Sequence, residues 1–384
     1  MSVAELLQGK RICVCGGSGG VGKTTTSAAI ALGMAAQGAK VAVVTIDPAK
    51  RLANALGLDE LENAPVRVDP ARFAGHVEMQ GELWAMMLDP KRTFDELIER
   101  IAPHPGRAEE VKANRIYAEL STAVSGSQEF TAVAKLYELD RDGDFDLLVL
   151  DTPPSRNAMD FLDAPGRLTS FLEGRAVRAF IRPTGLGMKL FSRGASPFLA
   201  ALRRVTGVDL LGDLTTFFGL LGDMTDDFSE RAAQVEKLLR AETTAFVLVT
   251  SAQAAAIDEA IWFRRSLSES GLPFAGVIVN RVHHDLLADR DLGSVRSDLT
   301  GALGDDLAAR VAENLADYHV LARRDARGVQ RLREDLSEGA GDDPMILVPH
   351  LDDDVHDIEG LLRVHRFLFA GAAQREAMIA AAVS

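Results

Sequence analysis

Cysteine is almost missing. The 384 residues contain two, Cys13 and Cys15, one residue apart. Two sulfurs cannot build a disulfide framework or a four-ligand zinc site within one chain. A reducing cytoplasm is the expected compartment. Positive charge is also short: Lys and Arg number 42 against 56 Asp and Glu, a formal net charge of −14. That argues against nucleic acid or an anionic membrane as the main partner, because phosphate backbones and headgroups are held by clustered cations. No apolar run reaches the roughly 18 residues a membrane helix needs. The longest candidate, Leu210 to Met224, is interrupted by Asp213 and Asp223, so no integral membrane segment is expected. The opening residues, Met1 to Gly9, are mixed and polar and do not read as a signal. Fixed-period repeats are absent, which excludes a solenoid.

What is present is a rhythm. Short apolar runs occur at Ile12–Cys15, Val41–Ile46, Leu83–Leu88, Leu147–Leu150, Phe246–Val249, Val277–Val279 and Ile346–Val348. Many are rich in Val and Ile and apolar on both faces, as strands of a parallel sheet covered on both sides must be. Helical patterns separate them. The expectation is a doubly wound, mostly parallel α/β sheet with right-handed crossovers, forming a single domain over 1–384. Two stretches break the rhythm. Residues 89–143 show helical patterns at Thr93–Ile101, Ala108–Val124 and Gln128–Leu139. Residues 161–241 are strand-free and read as an inserted helical subdomain. Residues 355–384 read as a C-terminal helix, with Ile358, Leu361, Leu362, Phe367 and Leu368 at helical spacing.

One motif carries chemistry. Ile12–Cys15 leads into Gly16-Gly17-Ser18-Gly19-Gly20-Val21-Gly22-Lys23-Thr24-Thr25, and G-x-x-x-x-G-K-T runs from Gly17 to Thr24. A strand precedes it and a helix, Thr25 to Gln37, follows, ended by Gly38. Small residues let successive backbone N–H groups curl around phosphates at a helix N-terminus. Gly19, Gly20, Val21, Gly22 and Thr25 supply that cradle. Lys23 reaches the β- and γ-phosphate oxygens and Thr24 is a Mg²⁺ ligand. The ligands implied by the motif are a nucleoside triphosphate and Mg²⁺.

Two carboxylates should face the loop, because ligands of open α/β sheets sit at the carboxyl ends of strands. Asp47 ends Val41–Ile46. Asp151 ends Leu147–Leu150 in the Walker B form, with its carboxylate acting on Mg²⁺ or its water shell. Asp47 is the candidate for orienting the attacking water and a further metal contact. The competing assignment for either is a helix cap or turn.

Together, Gly17–Thr24, Thr45-Ile46-Asp47-Pro48-Ala49 and Asp151-Thr152-Pro153-Pro154-Ser155 resemble the ArsA-type ATPases. That family includes arsenite-pump ATPases and factors that target tail-anchored membrane proteins. The resemblance extends to Val279-Asn280-Arg281 and Val348-Pro349-His350-Leu351-Asp352. It implies a P-loop fold of the deviant Walker A class and a Mg²⁺-dependent ATPase binding ATP and ADP. It also implies a dimer, Asn280 reading the adenine with Pro349 near it, switch I over 47–56 and switch II over 151–162. A hydrophobic protein client is a further implied partner.

The chain departs from the family pattern in three places. Ser18 stands where the family carries a Lys that reaches across the dimer. Lys50 or Arg51 could supply the charge, or the chain could pair with a paralogue that keeps the Lys. A nucleotide-dependent scaffold with little or no hydrolysis is the alternative activity. The metalloid-binding and zinc-binding Cys sets are missing, and Cys13 and Cys15 read as packing in a buried strand. Switch II carries Pro154 and Arg156.

An apolar stripe runs through Phe198, Leu202, Val205, Leu210, Leu214, Phe217, Leu221 and Met224. It reads first as an ordinary packed amphipathic helix, with a client groove as the rival. The acidic and His-rich residues His350, Asp352, Asp353, Asp354, His356 and Asp357 read as helix capping, with a metal cluster as the rival, and His283-His284-Asp285 reads as an exposed turn.

Overall fold

The computed structural model describes residues 1–47, 49–118, 127–153, 210–221, 224–287, 290–337, 343–351, 353 and 355–383. By contacts the chain divides into two compact units, one of 1–87, 144–158 and 240–384, the other of 88–143 and 159–239.

The first unit is built on one eight-stranded sheet. Its strands are β1 Ile12–Gly16, β2 Lys40–Thr45, β3 Val66–Arg67, β4 Glu82–Met87, β5 Leu147–Asp151, β6 Thr244–Ser251, β7 Phe274–Val282 and β8 Met345–Pro349. The order is β3-β4-β2-β5-β1-β6-β7-β8. All pairings are parallel except β3 with β4. The mostly parallel α/β sheet expected from the sequence is therefore present. Every residue of β1, β5 and β6 is buried, which is why these strands read as unbroken apolar runs. β3 has two residues, both exposed, at the antiparallel edge; such a segment carries no periodicity to detect.

The chain leaves β1 towards β2 on one side, while β6 to β8 lie on the other. This reversal opens a crevice at the carboxyl end of β1, the place where such sheets bind ligands. Register aligns Cys15, Asp151 and Thr45 at that end, and Gly16 with Leu248.

Short α1 (Val3–Leu6) precedes β1, and α2 (Lys23–Ala36) follows it, starting two residues earlier than the pattern suggested. α3 (Arg51–Ala55) follows β2. Later helices of this unit are α9 (Ala254–Glu269), α10 (Leu292–Leu303), α11 (Asp305–Ser337), α12 (Ile358–Phe369) and α13 (Ala372–Val383). The tail over 355–384 is thus two helices rather than one. The backbone turns extended at Ala370 (φ −68°, ψ 141°). Arg375 then donates to the carbonyls of Phe367 at 2.8 Å and Ala370 at 2.7 Å, filling the acceptors freed at the break.

The second unit contains α4 (Pro90–Ile101), α5 (Pro105–Ala113), α6 (Ser127–Asp142), α7 (Leu210–Leu221) and α8 (Thr225–Arg240), the last ending at the unit boundary. Asp89 caps α4 by accepting from Arg92 N at 3.0 Å, with Pro90 at the first helical position. The single helix expected over Ala108–Val124 stops at Ala113. Asn114 is extended, and its side chain accepts from Ile116 N at 2.9 Å, the local bond by which Asn competes with helix. Leu97, Ile98, Val111, Tyr117, Phe217, Phe218, Met224 and Phe228 share one buried core. Phe217 and Met224 of the apolar stripe are therefore core side chains, as is the neighbouring Phe218; Phe198, Leu202 and Val205 lie outside the described residues. Among the described residues no helix is long and apolar enough to cross a membrane.

Candidate nucleotide-binding site

The phosphate loop runs from the end of β1 to the start of α2. Its path requires glycine at two close approaches. Gly17 has φ 145°, and a Cβ there would lie 1.9 Å from the Val249 carbonyl oxygen. Gly22 caps α2 in the left-handed region (φ 94°), and a Cβ would lie 2.3 Å from Asn280 Nδ2. Gly19 and Gly20 are exposed at the tip and Val21 is buried beneath it. Lys23 is buried, and its Nζ donates to the carbonyls of Gly17 at 2.8 Å and Ser18 at 2.7 Å. Burial lowers its pKa, while nearby Asp151, Glu259 and Asp47 pull the other way.

Asp151 is the centre of the polar site. Its Oδ2 accepts from Thr24 Oγ1 at 2.7 Å and from Thr45 Oγ1 at 2.8 Å. The other oxygen, Oδ1, is buried and has no hydrogen-bond partner. Burial pushes the carboxyl up to about 6, against the bonds from the two Thr hydroxyls and the charge of Lys23. A hard, oxygen-loving cation such as Mg²⁺ fits this donor set: one carboxylate with an unused oxygen and one hydroxyl. Among the described residues no group of three or more His, Cys, Asp or Glu could hold a metal alone. Mg²⁺ in nucleotide sites does not need one, since substrate oxygens and water complete its shell.

Thr45 is the residue whose role the sequence reading missed. In the sequence it stands only as a strand residue opening the Thr45–Ala49 segment, with no task of its own. A hydroxyl at the last position of a buried strand, in register with a Walker B Asp, was the available signal.

Asp47 lies just past β2. Its N–H donates to Thr45 Oγ1 at 3.2 Å, and its Oδ1 accepts from Ala49 N at 2.9 Å. The turn assignment is thus real, and it fixes the carboxylate beside the Asp151 cluster. Arg51 reaches the other oxygen, Oδ2, at 3.3 Å, close enough to the loop to oppose the charge of Lys23. Lys50 holds a left-handed backbone (φ 55°) and faces Glu60 at 3.4 Å. A cavity of about 110 Å³ opens here, lined by Thr45, Asp47, Lys50, Leu61 and Met87.

On the other flank, a cavity of about 300 Å³ is lined by Gly22, Thr25, Asn280, Arg281, Pro349, His350 and Leu351 among others. Asn280 and Pro349 therefore share one hollow beside the phosphate loop. Asn280 is buried, and its Nδ2 donates to Val21 O at 2.9 Å. One of its two amide hydrogens remains for another acceptor.

Cys13 and Cys15 lie side by side with sulfurs 3.9 Å apart, fully buried in β1. The Cys15 hydrogen bond, then burial, pushes the Cys13 thiol far up. Thr152 Oγ1 donates to Cys15 O at 2.8 Å, tying the first residues after β5 to the phosphate strand. Pro154, Ser155 and Arg156 lie outside the described residues. Asp357 caps α12, accepting from Gly360 N at 2.8 Å; Asp352 and Asp354 lie outside the described residues.

The His283-His284-Asp285 run is not the exposed turn expected. Both His are half-buried, because His283 pairs with the buried Asp325 of α11 at 2.7 Å. Helix α11 had no assignment from the sequence, so its Asp could not be anticipated as a partner.

A family model described as anion-transporting ATPase matches residues 10–334. The chain is 25% identical over 311 residues to ATPase ARSA1 of Chlamydomonas reinhardtii, covering 77% of this chain and 37% of that protein. It is 24% identical over 326 residues to ATPase get3 of Schizosaccharomyces pombe, covering 83% and 87%. It is 26% identical over 282 residues to the arsenical pump-driving ATPase of Acidiphilium multivorum, covering 72% and 40%. The alignments thus span less than half of the Chlamydomonas and Acidiphilium proteins. With its phosphate loop, Asp47, Asp151 and Asn280 all inside the matched region, the chain belongs to the anion-transporting (ArsA-type) family of P-loop ATPases.

Proposed function

We propose that this chain binds and hydrolyses Mg²⁺·ATP and uses the nucleotide state as a conformational switch. The observation that supports this most is the convergence of Thr24 and Thr45 on one oxygen of Asp151 beside the phosphate loop. Backbone N–H groups from Gly19 to Thr25 hold the phosphates at the start of α2. Lys23 exchanges the carbonyls of Gly17 and Ser18 for phosphate oxygens. Asp47, fixed by its turn, accepts a hydrogen bond from the attacking water and orients it. Thr24 and Asp151 hold the metal side of the site. Mg²⁺, when bound there, neutralises charge on the β- and γ-phosphate oxygens. Asn280 and Pro349 bound the nucleobase.

The switch reading rests on two links. Thr45 joins Asp151 to the start of switch I at Asp47, and Thr152 joins switch II to β1. A change at the γ-phosphate is felt by both segments, the route by which nucleotide loss releases switch loops. Dimerisation, with a second copy or a paralogue, and a protein client governed by the helical unit are the partners we propose. A cytoplasmic setting agrees with the free thiols.

One feature favours a second activity. Ser18 leaves the loop without an added cation, which suits a nucleotide-dependent scaffold with negligible turnover. Single-turnover measurement of phosphate release from bound ATP separates the two. Release within minutes supports the switch ATPase, and retention of intact ATP supports the scaffold.

A further inference from the structure

The wall of the 300 Å³ cavity has a second layer that phosphate chemistry does not use. His350, just after β8, lines the cavity. Behind it lies His283, just after β7, with ring centroids 4.6 Å apart and planes inclined by 35°. His283 also packs edge-on against Tyr318 of α11, at 5.3 Å and 71°.

His283 is pinned twice by one oxygen. Its Nδ1 lies 2.7 Å from Asp325 Oδ2, and its backbone N–H donates to that oxygen at 3.1 Å. Arg324 donates to the other carboxylate oxygen at 3.0 Å. Asp325 is only 2% exposed, an expensive place for a carboxylate unless it is fully paired. Burial pushes its pKa up, but the bonds from His283 and Arg324 outweigh this and hold it low. An ionised carboxylate only accepts, so Nδ1 of His283 carries the hydrogen. Tautomer and ring plane are both fixed, and the ring presents a set face to His350.

We propose that Asp325 and His283 are positioning residues that hold the His350 ring as a wall for the nucleobase, so that base recognition depends on helix α11. This rests on the cavity being the base site. Aromatic contacts of this kind are worth roughly three- to tenfold in affinity.

The test measures dissociation constants of Mg²⁺·ATP and of inorganic tripolyphosphate with the full chain. Wild type binds ATP more tightly than tripolyphosphate. His350→Ala and Asp325→Ala each weaken ATP by about three- to tenfold and leave tripolyphosphate unchanged. The double variant is no weaker than either single one, since both act through the same ring. Arg324→Ala and the isosteric Asp325→Asn, which keep an acceptor for His283, retain the ATP preference. If Asp325→Ala does not fold, His283→Phe reads the same step, because it keeps a ring but loses the bond. Unchanged ATP affinity in His350→Ala, or additive losses in the double variant, overturns the proposal while the base site stands. Equal binding of ATP and tripolyphosphate by wild type overturns the base site itself.

Discussion

Thr24 donates its hydroxyl to Asp151 over 2.7 Å, across 127 residues of sequence. The bond joins the phosphate loop to the strand end of β5 and leaves the other carboxylate oxygen unpaired. Asp151 is a buried carboxylate, and in the function we propose it also faces the metal, so the two roles would pull stability and activity apart.

Asp151→Asn tests that tension. The carboxyl is raised from 3.8 to about 6 in the fold. Its favourable contribution is therefore complete below about pH 3.8 and gone above about pH 6. At pH 7.5 the nucleotide-free variant should be more stable, by on the order of 3 kcal/mol, and at pH 4 the gain should vanish. Thermal melts at the two pH values check this. Mg²⁺-dependent turnover should fall by roughly 10²–10³-fold in the same variant. If Asp151 faces the metal as proposed, proton and metal compete for its carboxylate in the wild type, and Mg²⁺ affinity should weaken as pH drops below about 6.

Arg51→Ala separates a surface ion pair from a catalytic cation. The Arg51–Asp47 contact is 3.3 Å long, and the Arg side chain is 64% exposed. Its loss should change the melting temperature little, since exposed pairs contribute about 0–1 kcal/mol. If Arg51 supplies phosphate charge, kcat should fall by about tenfold or more with KM little changed. Unchanged turnover in both Arg51→Ala and Lys50→Ala removes the idea that switch I replaces the charge missing at Ser18.

Two loop glycines should differ. Gly17→Ala would drive a Cβ to 1.9 Å from the Val249 carbonyl, so the loop must shift and ATP binding should be lost. At Gly20 (φ 79°) nothing lies within 4 Å. Gly20→Ala should cost only the left-handed backbone penalty, about 1–2 kcal/mol, and keep measurable binding. Isothermal titration with ATP distinguishes the two outcomes.

His365 should make the fold sensitive to mild acid. Burial, with Arg366 nearby, pushes its pKa down to about 4. Nδ1 is buried without a partner, and the ring stacks on Phe369 at 4.9 Å. A depressed folded value means that stability is present above the ordinary 6.5 and is lost as pH falls through it towards about 4. His365→Leu should flatten the decline in melting temperature between pH 6.5 and 4.5. An unaltered decline would assign the acid sensitivity elsewhere.

The parts legible in the sequence were those governed by local pattern. The apolar runs of β1, β5 and β6 are buried on both faces, so composition alone marks them. The phosphate loop is legible because its glycines answer a backbone need that no other residue meets at Gly17 and Gly22. The parts that stayed hidden depend on distant partners. Thr45 matters through the register of β2 on β5. His283 looked exposed because its partner, Asp325, lies 42 residues away on a helix whose polar surface masked its period. The break at Asn114 depends on a side-chain bond to Ile116 that competes with the helix.

The most direct test of the account is phosphate release by the purified chain with Mg²⁺·ATP, compared with Lys23→Ala. Lys23 is a buried cation bonded to the Gly17 and Ser18 carbonyls, and the function we propose has it turn from them to the phosphates. The wild type should release phosphate in a Mg²⁺-dependent way, and the variant should lose both release and ATP binding. Turnover retained in Lys23→Ala would contradict it.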